Sequence, residues 1–421
     1  MTVKWGVQKK NNTLHGDLQD ENWWKDEKDF YANLNVTLSV ISIVISFLIS
    51  LGSVALFALW AILVKDCTVR ISHKIYIHRS FFIWLILMSE DLFGKDLITT
   101  QDWSIEEIET LLETAEEMKK NRFKNRWSDH LDKKTFLMLF YNPSMRTRES
   151  FECAATELGG HAQYLEPKSM RLKRKGSIGE EPRDVAKVMS RYGCGIGIRL
   201  LEDAINYYGE GDKLLREYAK HAEVPVVSMA HDRYHPCQGL ADLMGLENHL
   251  NNLKGKKLFL MWSSGHLVRS LSSIQADLLL LSRMGMDITL AYPKGWELDE
   301  EVIEKTKSNA SSAGSHFEIT HSMNGADGAD VVYSRNWMSP LRYQSSKEEE
   351  IERALKHREW ICDRRLIDRT NNAYFVHPMP IERGWEVTDE VADSEGSLIY
   401  EIAENRLHVQ KALLAMTMGE K

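Results

Sequence analysis

From about residue 88 onward, short apolar runs alternate with longer stretches whose apolar residues recur at helical spacing. The runs are TFLMLFY (135–141), VPVVSMA (224–230), KGKKLFLMW (254–262), DITLAYP (287–293) and DVVYSRNW (330–337). A strand apolar on successive residues needs cover on both faces, and helices between strands supply it. This rhythm predicts an α/β architecture of parallel sheets covered by helices. The helix over 104–122 should open on a capping box, with Ser104 as the cap and Glu107 three residues later.

The 421 residues exceed one ordinary core, which predicts at least two domains. The reading places a first domain over 88–248 and a second over 249–402. A final helix in 403–421, apolar on one face, should pack back on the first domain. A net charge of -8 argues against a nucleic-acid partner. Five scattered cysteines without a CxxC pair argue against a disulfide framework or a zinc site, and fit a reducing cytoplasm.

Residues 1–87 differ from the rest. Val36 to Val64 carries no charge and is long enough to cross a bilayer. Lys65, Arg70, Lys74 and Arg79 follow it, so a helix there would leave the body of the chain facing the cytoplasm. The second reading starts the protein at Met88, which opens a stretch like the start of a soluble enzyme. Both stand: a candidate N-terminal transmembrane anchor over 36–64, or a mis-assigned start.

The stretch NPSMRTRES (142–150) puts two cations where a strand hands over to a helix. A helix start presents free N–H groups and the positive end of the helix dipole. Ser144 and Thr147 add hydroxyls, and Arg146 and Arg148 add guanidiniums suited to phosphate oxygens. Two arginines one residue apart face different ways on a helix, so both need not touch one ligand.

FYNPSMRTRESFE resembles the SxRTR signature of the aspartate and ornithine carbamoyltransferases. Arg199 in GIGIRL, HPCQGLADL (235–243), HPMPIERGWEVTDEV (377–391) and AENRLHVQKA (403–412) are similar to further elements of that family, in the family's order. The resemblance implies two α/β domains with the active site in the cleft between them, and no metal or organic cofactor. It implies that Ser144, Met145, Arg146, Thr147 and Arg148 hold the phosphate of carbamoyl phosphate. Thr147, Arg199 and His235 would meet its carbonyl oxygen, and Gln238 with the main chain around Met379 its amide nitrogen. It also implies a trimer in which the basic loop 168–183, through Lys175 or a neighbour, reaches the adjacent subunit's site. Cys237, within HPCQ, has no paired base in sequence and is not expected to be a nucleophile.

The acceptor end departs from the ornithine pattern. The family's Asp-x-Trp-x-Ser-Met-Gly element becomes RNWMSPL (335–341), with Arg335 in place of the aspartate and Trp337 and Ser339 retained. Pro378 stands in place of a cysteine, and SSGHLV (263–268), with His266, in place of a Gly-Asp-Gly-Asn-Asn turn. Arg335, Trp337, Ser339, Pro378, Arg383 and His266 are therefore the expected acceptor-side residues. An arginine pairs with a carboxylate and repels an ammonium, which points to N-acetyl- or N-succinyl-ornithine, or to aspartate. RGWEVTDEV and AENRLHVQKA favour plain ornithine, with citrulline as product and arginine biosynthesis as setting. A silent paralogue that binds the anion without turnover is the non-enzymatic alternative.

Overall fold

The computed structural model describes residues 92–172 and 178–419. The 36–64 segment and Lys175 lie outside the described residues. No described helix is long and apolar enough to cross a membrane.

Two wholly parallel sheets form. The first has four strands in the order β2-β1-β3-β4: Thr135–Phe140 (β1), His161–Leu165 (β2), Gly195–Leu200 (β3) and Val226–His231 (β4). The second has five in the order β7-β6-β5-β8-β9: Lys257–Trp262 (β5), Asp287–Ala291 (β6), Phe317–Thr320 (β7), Val331–Arg335 (β8) and Tyr374–Val376 (β9). Strands β1, β3, β4, β5 and β8 are almost wholly buried, as their unbroken apolar runs require. Besides β3, the strands not foreseen are at or near sheet edges. β2 and β7 are largely solvent-facing, and β9 has only three residues.

In each sheet the chain reverses its direction of strand addition once, between β1 and β3 and between β5 and β8. Open parallel sheets leave a crevice at such points, beyond the carboxyl ends of the strands. NPSMRTRES follows β1, Arg199 lies at the end of β3, SSGHLV follows β5 and Arg335 ends β8. All four segments therefore stand at switch points.

Local rules set the helices. In Ile105–Lys120 (α1), Ser104 Oγ accepts from Glu107 N–H at 3.1 Å and Glu107 Oε2 accepts from Ser104 N–H at 2.7 Å. This is the expected capping box. Met145–Glu157 (α2) stops at Gly159, whose φ of +80° is left-handed. A Cβ there would sit 2.1 Å from the Ser128 carbonyl oxygen, so no other residue fits. Helices α3 (Pro182–Met189) and α4 (Glu210–His221) complete the first unit. Pro236–Leu250 (α5) leads across and packs on Ser272–Arg283 (α6). Glu300–Ala313 (α7) and Lys347–Leu355 (α8) belong to the second sheet's cover.

The last helix, Ile399–Met418 (α9), packs on α1, α2 and α5. It is buried on nearly every side, not on one face as periodicity suggested. Two of its enclosed polar residues have partners across helices: Lys411 pairs with Glu157 at 2.9 Å, and Arg406 donates to Thr147 Oγ1 at 2.9 Å.

Candidate active site

The loop after β1 is pinned at both ends. Tyr141 N–H donates to the Arg199 carbonyl at 2.9 Å, and Asn142 Oδ1 accepts from Leu201 N–H at 2.7 Å. These bonds set the start of α2 beside the end of β3. Ser144 caps α2 by accepting from Thr147 N–H at 3.3 Å. The amides of Met145 and Arg146 occupy the first helical turn, where no intrahelical acceptor exists. The register between β3 and β4 shifts at Ile198/Arg199, an irregularity that re-aims the strand end.

Five guanidiniums converge from five segments: Arg146 of α2, Arg199 of β3, Arg269 before α6, Arg335 of β8 and Arg406 of α9. Each has a buried Nε without a partner, and Arg335 lacks one at Nη1 as well. Burial first, then neighbouring guanidiniums, lowers the basicity of Arg146, Arg199, Arg335 and Arg406, to about 9 for Arg199 and about 10 for Arg335 and Arg406. All stay charged at neutral pH.

The acids nearby do not balance them. Glu386 is buried and ionised, and Arg269 reaches it at 3.3 Å. Burial pushes Glu202 and Asp242 up to about 7. A surplus of enclosed positive charge with unused donors is an arrangement that an anion completes.

His235 begins α5, donates its N–H to the Ser272 carbonyl at 3.1 Å, and has a buried Nδ1 without a partner. Burial, then Arg406, Arg199 and Arg335, hold it well below the usual histidine range, so it is neutral. One turn on, Gln238 donates Nε2–H to Asp242 at 3.1 and 3.2 Å, leaving a buried Oε1 free. The site thus offers many cationic donors and one amide acceptor. It suits a ligand that joins an anion, a carbonyl and an N–H.

Met379 lies in the turn after β9 with φ +56°, donating its N–H to His377 Nδ1 at 2.9 Å. Pro378 beside it is buried. Met145 is 68% exposed, so only its backbone serves the helix start. Cys237 is enclosed, and burial pushes its thiol up to about 12. That chemistry makes it a poor nucleophile.

Several expected site residues are engaged elsewhere. Arg148 pairs with Glu152 at 2.8 Å and lies over Tyr164, because a step of two residues turns a helix by roughly 200°. Trp337 belongs to the core: Nε1 donates to the Trp296 carbonyl at 3.0 Å, and its own carbonyl accepts from Trp262 Nε1 at 2.9 Å. Ser339 is bound at both N–H and Oγ by Glu350. Arg383 is held by Asp389 and Asp393 at 2.6–2.8 Å. His266 is tied to Glu382 through N–H at 2.8 Å and Nδ1 at 2.6 Å, at a half-exposed position.

Two residues of the cluster were not anticipated, Arg406 and Arg269. Arg406 lies in AENRLHVQKA, one of the stretches that carry the family resemblance, and that was its readable signal. Arg269 follows a loop and carries no local signal.

Residues 95–248 match the family described as aspartate/ornithine carbamoyltransferase, carbamoyl-P binding domain, and residues 254–417 match its Asp/Orn binding domain. The anabolic ornithine carbamoyltransferase of Pyrococcus furiosus is 37% identical over 334 residues, 79% of this chain and 99% of the relative. The N-acetylornithine carbamoyltransferase of Xanthomonas campestris is 35% identical over 339 residues, covering 77% and 98%. Among solved structures, acetylornithine transcarbamylase complexed with acetylcitrulline aligns with TM-score 0.71 at 34% identity, over 77% of this chain and all of that one. A mutant N-acetyl-L-ornithine transcarbamylase complexed with carbamyl phosphate and N-succinyl-L-norvaline aligns at 0.70 and 35%, covering 76% and 99%.

Proposed function

The chain belongs to the aspartate/ornithine carbamoyltransferase family, and from that premise we propose that its acceptor is an ornithine whose α-amine is acylated. It is a carbamoyltransferase; the proposal concerns what receives the carbamoyl group. The observation that carries it is Arg335, 8% exposed, with Nε and Nη1 free and enclosed among Arg146, Arg199 and Arg269. A guanidinium so placed attracts a carboxylate and repels a free ammonium. Free ornithine, the sequence expectation, brings both groups. An N-acylated ornithine brings the carboxylate alone. The solved relatives complexed with acetylcitrulline and with N-succinyl-L-norvaline support this choice.

The mechanism follows from the residues. The phosphate of carbamoyl phosphate lies at the α2 start, against Ser144, Arg146 and the first-turn amides. Thr147, Arg199, Arg406 and neutral His235 surround the carbonyl oxygen, and Gln238 Oε1 accepts from the carbamoyl N–H. The acceptor's terminal amine attacks the carbonyl carbon, and the charge that builds on oxygen meets donors already in place. The C–O bond to phosphate then breaks, and the departing phosphate takes the amine proton. The reading keeps the trimer implied by the resemblance and the cytoplasmic setting read from the cysteines.

The test compares N-acetylornithine, N-succinylornithine, ornithine and aspartate as acceptors. An acylated ornithine should give the highest kcat/KM, and Arg335→Ala should lower that value roughly tenfold to a hundredfold. A preference for ornithine that survives Arg335→Ala contradicts the acceptor assignment.

A further inference from the structure

Behind Gln238, two fully enclosed carboxyl groups face each other, Asp242 of α5 and Asp277 of α6. Asp242 accepts Gln238 Nε2–H on both oxygens. Neither oxygen of Asp277 has a hydrogen-bond partner of ordinary geometry, and the protein donor that faces it is the Tyr333 hydroxyl. Asp277 is also fitted closely: a Cβ at Gly239, the residue after Gln238, would lie 3.3 Å from its Oδ1. The groups facing the pair are Gln238 on α5, Ser273 on α6, Tyr333 and Arg335 on β8, and Arg406 on α9.

Two adjacent carboxylates shut away from water cannot both ionise, so the pair retains a proton. The Gln238 N–H and nearby Arg406 favour the charge on Asp242. The proton therefore belongs to Asp277, which donates it to Asp242. With its oxygens facing donors on both sides, Asp242 accepts from Gln238 and gives nothing back.

We propose that Asp277 is a positioning residue: as a neutral acid bonded to Asp242, it fixes the Gln238 amide with Oε1 turned toward the carbamoyl nitrogen. The amide of glutamine is nearly symmetric in shape, so only its neighbours decide which end faces the ligand. A flipped Gln238 would present N–H to the carbamoyl N–H and lose that bond. This rests on carbamoyl phosphate as the donor, with Gln238 at its nitrogen.

The experiment measures calorimetric binding of two probes to the intact chain. Phosphonoacetamide carries a phosphonate and a primary amide, and inorganic phosphate carries only the anion. Wild type should bind phosphonoacetamide more tightly than phosphate. Asp277→Ala should lose about tenfold in phosphonoacetamide affinity with phosphate affinity unchanged. Asp277→Asn, whose N–H can replace the acid proton, should restore most of the loss. Phosphate binding also reports that each variant keeps a folded site. Equal loss for both probes, no loss in Asp277→Ala, or no rescue by Asp277→Asn overturns the positioning role alone. A wild type that does not distinguish the probes overturns the role of Gln238 on which it rests.

Discussion

Replacing Arg406 by methionine lowers kcat/KM for carbamoyl phosphate by about a hundredfold or more, and raises the melting temperature of the ligand-free protein. Arg406 is 3% exposed, donates to Thr147 Oγ1, and keeps a buried Nε without a partner. Burial and the neighbouring Arg146 make its charge costly in the absence of an anion. Methionine fills a similar volume without that charge, which is the basis of the stability gain. The same substitution removes a fixed donor from the place where, on the proposed mechanism, oxyanion charge develops. Inorganic phosphate should raise the melting temperature of wild type and do less for Arg406→Met, since binding stabilises only a protein that binds. Steady-state kinetics and thermal scans check both halves. An active variant with a lowered melting temperature would make Arg406 a structural residue.

Glu386→Ala is the second large effect, an expected loss of about 3–5 kcal/mol of stability. Glu386 is fully enclosed and accepts from Asn336 N–H at 2.8 Å, Glu382 N–H at 2.7 Å and Arg269 at 3.3 Å. It ties the end of β8 to the turn that carries HPMP, and steadies Arg269 in the cluster. Burial raises its pKa, but His377, Arg269 and Arg335 outweigh this and hold the carboxyl at about 2, against its ordinary 4.5. Met379 N–H occupies His377 Nδ1 and burial lowers that ring to about 4, so His377 is neutral above that pH. The two arginines and the backbone donors are the better account.

The sign of the pH effect follows. A carboxyl depressed on folding stabilises above its unfolded pKa and loses that contribution as pH falls through the folded value. Wild type should therefore shed about 3 kcal/mol between pH 4.5 and about 2 through this group. Glu386→Ala should lack that step in denaturant titrations across the same range. A variant as stable as wild type, or one with an unchanged acid limb, would contradict the role of Glu386.

What could be read in advance was what local chemistry dictates. The central strands were legible because burial on both faces leaves an unbroken apolar run. Ser104 with Glu107 was legible because capping acts over three residues. Side-chain direction was not. Trp337 and Ser339 stand next to Arg335 in sequence, yet one turns into the core and the other toward Glu350. Arg148 turned outward while Arg146 turned in. Arg269 and Arg406 reach the cluster only through packing of distant segments. Lys411 and Arg406 of α9, which a periodicity argument assigns to solvent, proved enclosed and paired.

The central claim is that the buried guanidinium cluster and Gln238 hold carbamoyl phosphate for transfer to an amine. The direct measurement incubates the protein with carbamoyl phosphate and each of the four acceptors, following phosphate release and ureido product together. The account predicts one ureido product for each phosphate released, fastest with an acylated ornithine and nearly absent in Arg406→Met. Phosphate release no faster than spontaneous decay with every acceptor would contradict it.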